Sequence, residues 1–226
     1  MRTAIERGYP SKFRASGLVF WVRADSGITI ATGVSAWADR SGAGNNLVQA
    51  TGAAQPAFQA SAGPRSRPCV TYDGSNDLMS ATFTLNHPAT RIVVGIWRAA
   101  YVAVDTLFDG AGGFNRGRLS RNGSTNNLQL NPALAAGTAT SLSWHVYTIL
   151  MNGNPTSWRV ENAEVASGDS SASTTIGGAT QGAPGSGGFA WANVSIAEDL
   201  MLSSVPTESI IARMNHYAGS MYGLAA

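Results

Sequence analysis

Runs of about four to ten residues rich in valine, isoleucine, threonine and aromatic side chains recur along this sequence. Nearly every run is closed by glycine, asparagine, aspartate or proline. That rhythm constrains the fold more than any other feature. Runs this short do not sustain isolated helices, but extended strands of the same length can be buried face to face. Residues 18–23 read as a strand closed by Asp25, Ser26 and Gly27, and residues 46–50 as another after the turn-rich stretch 39–45. Residues 69–72 stop at the turn pair Asp73-Gly74, and residues 78–83 resume the extended pattern. Residues 91–97 are apolar on both faces, which predicts a central strand covered on two sides. Residues 142–151 and 157–161 flank Asn152-Gly153, a hairpin signal because glycine takes the positive φ of a tight turn. The Gly/Ser/Ala/Thr-rich stretch 167–188 predicts one weak strand within long loops, and residues 191–202 a last strong strand.

One segment has a helical period. Residues 206–222 place Ile210, Met214, Tyr217 and Met221 on one face, with Ser204 as N-cap and Gly223 as the C-terminal stop. The expected fold is therefore all-β: a two-sheet antiparallel β-sandwich with one C-terminal α-helix laid on one sheet. A chain of 226 residues fits one such domain, here residues 17–226, with a core large enough to need no staple. The single cysteine, Cys69, lies in an apolar extended run and reads as a buried, inert thiol.

Ahead of this domain, residues 1–16 form a basic arm. Through residue 24 the chain carries Arg2, Arg7, Lys12, Arg14 and Arg23 against Glu6 alone, within a formal net charge of +2 for the whole. Such an arm can dock on an acidic partner, with Arg2, Arg7 and Arg14 setting register and Ile5, Tyr9 and Phe13 supplying affinity. No stretch has the apolar length of a signal peptide or a membrane helix, so synthesis in a host cytoplasm without membrane insertion is expected. The near-neutral domain carries no nucleic-acid-binding motif, and nucleic acid is not an expected partner.

Five signposts occur in a telling order. They are Leu18-Val-Phe-Trp-Val-Arg-Ala-Asp25, Val34-Ser-Ala-Trp-Ala-Asp-Arg-Ser-Gly42, Val70-Thr-Tyr-Asp-Gly-Ser-Asn-Asp77, the hairpin from Trp144 to Asn162, and the close Ile196-Ala-Glu-Asp-Leu-Met-Leu202 followed by a helix. Together they resemble the concanavalin A-like, laminin G-type jelly roll, including modules of bacteriophage virion proteins. The tryptophans Trp21, Trp37 and Trp144 read as core plugs between the sheets. The resemblance implies a virion structural protein on capsid or tail (decoration, fibre or appendage), acting through contacts with other virion proteins and as a homo-oligomer. The alternative is a lectin-like module recognising a host surface polysaccharide. A polysaccharide-degrading enzyme is the distant third, because the Glu-x-Asp-x-x-Glu run of the related glucanases is absent. Glu198 and Asp199 are adjacent in a strand and diverge, and Glu161 and Glu164 also point apart, so no carboxylate pair is placed to face across a sugar.

Three groups of candidate binding residues remain. Trp158 and Trp191 are the candidates for stacking on a sugar, against burial as the default for tryptophan. Arg116, Arg118 and Arg121 form a local basic patch, by default a solvated strand face. Asp73, Asn76 and Asp77 cluster hard oxygen donors suited to calcium, as do Asp39, Asn45 and Asn46. The competing reading is that they cap their own turns, since calcium needs six or more converging oxygens. No other cofactor is expected: the histidines are isolated and no Gly-x-Ser-x-Gly or phosphate-loop pattern occurs.

Overall fold

A computed structural model describes residue 13 and residues 16–100, 104–113, 116–121, 127–130, 134–139, 142–169, 174–185 and 187–225. In chain order the strands are β1 (Leu18–Arg23), β2 (Ile28–Ile30), β3 (Val34–Trp37), β4 (Leu47–Val48), β5 (Ala57–Gln59), β6 (Cys69–Asp73) and β7 (Met79–Thr82). There follow β8 (Ala89–Trp97), β9 (Asp105–Asp109), β10 (Leu119–Arg121), β11 (Asn127–Leu130) and β12 (Leu134–Ala139). The last are β13 (His145–Met151), β14 (Thr156–Val160), β15 (Ala163–Gly168), β16 (Gly178–Gln181), β17 (Asn193–Leu202) and the helix α1 (Glu208–Tyr222).

All the strand pairings are antiparallel. The first sheet runs β15-β14-β13-β8-β17-β6-β5, and the second β12-β11-β10-β9-β16-β7-β4-β3-β2. On one side β17 pairs with β8. On its other side residues 193–196 pair with β6 and residues 198–202 with β1. The Asn-Gly hairpin joins β13 to β14 as its turn chemistry predicts.

Between the sheets lies the main core, in which Phe20, Trp37, Tyr72, Trp97, Phe108, Tyr147 and Trp158 are the bulkiest members. A second core fills the outer face of the first sheet and is roofed by α1, with Trp21, Ile92, Val94, Leu200, Met214, Tyr217 and Met221. The central strand β8 serves both: Val93 and Trp97 face the sandwich, Ile92 and Val94 the helix. That two-sided burial is why residues 91–97 show no polar alternation.

Three positions differ from the sequence reading. Trp21 and Trp144 pack on the helix side, not between the sheets, because the neighbours Phe20 and Val22 take the inward positions of β1. The helix is capped at Thr207, not Ser204, whose hydroxyl instead donates to the Ser16 carbonyl at 2.6 Å. Glu208 opens the helix and is held by a bidentate pair from Arg159 of β14, 2.7 Å on each arm. Gly223 ends it in the left-handed region, φ 69°. There an alanine Cβ would be strained and would also press on the Arg65 guanidinium, whose Nη1 donates to Ser220 O. Gly223→Ala is expected to cost about 1 kcal/mol, measurable as a lowered urea midpoint with unchanged m-value.

Candidate functional site

At one end of the sandwich the strand ends leave a cleft of about 410 Å³, within the range of small-molecule sites. It is built from segments far apart in sequence: the end of β6, the chain leaving β8, the start of β9, the end of β10 and the approach to β17. Arg121 and Asp105 form its interior wall and are 1% and 6% exposed. Arg121 Nε donates to Asp105 Oδ1 at 2.8 Å and Oδ2 at 3.1 Å, and its Nη2 also meets Oδ2. Nη1 donates to the Ala99 carbonyl at 2.8 Å. The guanidinium lies 5.6 Å from the Trp97 ring centroid, and Trp97 Nε1 donates to Asp105 Oδ1 at 3.2 Å. The pair is thus locked in one orientation by a planar fork on a carboxylate and an indole N–H.

The outer wall is partly apolar. Trp191 is half-buried, Val104 is 40% exposed, and Phe189, two residues before Trp191, is 43% exposed. The Trp191 segment is pinned on both sides: Thr106 N–H donates to Ala190 O and Ala192 N–H to Gly182 O, each at 2.9 Å. Ala190 itself sits at φ 51°, left-handed backbone that costs a non-glycine residue and is often found at binding sites. Asp73 and Asn193, partners in the β6–β17 register, complete the rim. An aromatic wall beside carboxylate and amide oxygens suits a ligand with apolar C–H faces edged by hydroxyls. The carboxylates accept from hydroxyls while the indole covers the C–H face.

Three separate candidates from the sequence, Trp191, Arg121 and Asp73, therefore meet in one place. The others go elsewhere. Trp158 is fully buried between the sheets and has no free face for a sugar, because its position on β14 points inward. The arginines do not form a solvated patch. Arg121 is interior, since Leu119 and Arg121 share the inward face of β10. Arg116 is half-buried, with its N–H donating to Asp109 Oδ1 at 2.9 Å and its Nη1 to Ala111 O at 3.2 Å. Burial lowers the pKa of the half-buried Arg118 guanidinium, with Asp109 opposing. Burial in turn raises Asp109, against the N–H donors of Gly185, Arg116 and Gly110.

The aspartate oxygens considered for calcium accept from backbone N–H groups of nearby loops. Asp73 Oδ1 accepts from the N–H groups of Ser75 and Asn76, and Asp77 Oδ2 accepts from that of Asp73. Asp39 likewise accepts from Trp21, Ser41 and Asn45. Among the described residues no three His, Cys, Asp or Glu side chains are grouped to hold a metal. Burial also pushes the Asp77 carboxyl up. Of the arm residues, Phe13 is buried in this chain's own second core, which removes it as an anchor for a partner. Arg2, Ile5, Arg7, Tyr9 and Arg14 lie outside the described residues. Glu198 and Asp199 diverge as expected, the first toward the helix and the second into the sandwich, and each is occupied by donors of the protein itself. Glu161 is engaged by His145 Nδ1 at 2.8 Å. The sequence does not mark Asp105 as a wall of the site, nor Trp97 as the buried indole that holds it from behind. Trp97 was visible as the end of an apolar strand, but nothing local marks Asp105.

The architecture is that of a two-sheet β-sandwich of jelly-roll type carrying one terminal helix, with a polar-and-aromatic cleft at the strand ends. The sequence matches no protein-family model and none of the curated protein sequences. Solved structures share the fold. Trypanosoma rangeli sialidase in complex with sialic acid superposes with a TM-score of 0.66 at 13% identity, over 93% of this chain and 34% of that one. The binding domain of botulinum neurotoxin serotype G gives 0.64 at 10% identity over 92% and 54%. That of Paraclostridial Mosquitocidal Protein 1 gives 0.61 at 11% over 88% and 52%. The chain thus spans between a third and about half of the length of these structures.

Proposed function

We propose that this protein is a lectin-like module that binds carbohydrate in the cleft walled by Trp191, Asp105 and Arg121. The observation that carries the reading is the juxtaposition of a half-buried indole with a buried, fixed Arg–Asp pair in a cavity of sugar size. Support comes from the company of the fold: two neighbours are binding domains of toxins, and a third is a sialidase seen with sialic acid. A place on a phage particle, as the sequence resemblance implies, suits such a module. An array of copies converts weak single-site sugar affinity into avidity 10²–10⁴-fold higher. The polysaccharide of a host surface is then the partner, and binding rather than bond cleavage is the activity.

The test is a glycan array followed by calorimetry on the best ligand, with the wild type and Trp191→Ala. Loss of one well-packed aromatic contact is expected to weaken binding at least tenfold, while the circular dichroism spectrum is unchanged. A panel without a single binder, or equal affinity in Trp191→Ala, would refute the reading.

A further inference from the structure

We infer that the cleft selects uncharged sugars and discriminates against acidic ones, sialic and uronic acids included; this rests on the cleft being the sugar site. The argument is one of charge accounting. The one cation in the described lining, Arg121, is already committed, with Nε and Nη2 on Asp105 and Nη1 on Ala99 O. It is 1% exposed, so its neutralised fork is not offered to a ligand carboxylate. The charge that remains at the rim is Asp73, which is exposed and spends Oδ1 on the turn N–H groups of Ser75 and Asn76. The segments that continue from the lining, residues 101–103 and 122–126, contain no lysine, arginine, aspartate or glutamate. Arg98 is exposed next to the cleft-lining Ala99 but is not itself among the lining residues.

An acidic sugar would therefore set its carboxylate near Asp73 with no free counter-charge among the described lining residues. Like charges a few ångströms apart at a partly desolvated site weaken binding by roughly tenfold or more. A neutral sugar meets the same groups favourably. Its hydroxyls donate to carboxylate oxygens and accept from the Asn193 amide, with Trp191 beneath a C–H face.

The experiment uses the full chain and matched pairs: a galactose-terminated oligosaccharide with and without a terminal sialic acid, and a glucose oligomer against its uronic-acid counterpart. Calorimetry is expected to give the neutral member of the binding pair at least tenfold tighter, with the gap shrinking as salt is raised. Asp73→Asn keeps the Oδ1 acceptor of the turn and should close most of that gap, whereas Trp191→Ala should weaken both members. If the acidic member binds as tightly or more tightly and is still lost in Trp191→Ala, the inference is wrong while the lectin reading stands. If neither pair binds, or binding ignores Trp191→Ala, both fall together.

Discussion

Arg91→Ala is expected to lower the unfolding free energy by about 3–5 kcal/mol, the cost of leaving a buried charge without its partner. Arg91 is 1% exposed on the inward face of β8. Its Nε and Nη2 donate to Asp199 Oδ1 and Oδ2 at 3.0 and 2.6 Å, and its Nη1 donates to the Asp109 carbonyl at 2.6 Å. Asp199 also accepts from Gln181 Nε2 at 2.7 Å, and Gln181 Oε1 accepts from Tyr72 O–H at 2.6 Å. β6, β8 and β17 belong to one sheet and β9 and β16 to the other, so this chain of bonds fastens the two sheets together. Alanine would strand Asp199 in a dry interior, where Phe108 covers the guanidinium position. The double variant Arg91→Met, Asp199→Leu removes both charges and should recover much of the loss, because the desolvation term disappears with the pair. Gln181 Nε2 would still lose its acceptor, and the carbonyls of Asp109 and Thr180 a donor each, so recovery is incomplete. Urea titration of the three proteins measures this; a double variant as unstable as the single would show that the charge itself is not the cost.

Glu198→Ala is expected to cost at least about 3 kcal/mol and to act at the other core. Glu198 lies between β17 and α1, where Oε1 accepts from Trp21 Nε1 at 2.6 Å and from Tyr217 O–H at 3.1 Å, and Oε2 accepts from Tyr222 O–H at 2.9 Å. Arg23 is near and donates to Tyr217 O–H at 3.2 Å. Removing the carboxyl leaves three buried donors without an acceptor, each worth about 1–3 kcal/mol when unsatisfied. Glu198→Gln keeps one acceptor and should lose less, about 1–2 kcal/mol at neutral pH. The two variants also separate by pH. Burial holds the Glu198 pKa above the ordinary value of 4.5, with Arg23 and the three donors opposing. A folded-state pKa above the unfolded one means that the native state binds the proton more tightly. The stability this linkage contributes is fully present below pH 4.5 and is lost as pH rises through the elevated folded value. Wild type should therefore gain on Glu198→Gln as pH falls from 7 toward 4.5. Thermal unfolding followed by tryptophan fluorescence in that window checks the sign, and a gap that moves the other way would mean the carboxylate is net stabilised by its donors.

Much of the sandwich was legible because its signals are local. Strand β1 matches the run 18–23 residue for residue, the hairpin between β13 and β14 follows from Asn152-Gly153, and the helix from the period of Ile210, Met214, Tyr217 and Met221. Strands β2, β5, β9, β11 and β12 were not legible. They have three to six residues, and β12 is Leu-Ala-Ala-Gly-Thr-Ala, with weak strand propensity. Their extended form comes from a neighbouring strand that satisfies their N–H and C=O groups, and that neighbour is invisible in a local window. β9 begins and ends on aspartate, which reads as turn chemistry until Arg121 and the N–H groups of Gly110, Arg116 and Gly185 are found beside it.

Local residue patterns sufficed for the stronger strands, for the main turns, and for the parting of neighbours such as Glu198 and Asp199 to opposite faces. Those facts follow from the period of two and the φ preferences of single residues. Which face became interior was set by long-range packing. Trp158 and Trp191 were equal candidates in the sequence, yet one fills the core and the other walls a cleft. Arg121 looked like a surface charge and is a buried ion-pair partner. The cleft gathers residues from 73 to 193, and their meeting depends on the non-local pairing of β6, β8, β9, β10 and β17. A strand's alternation is the same whichever side is covered, so the choice between core and site belongs to the sheet packed against it.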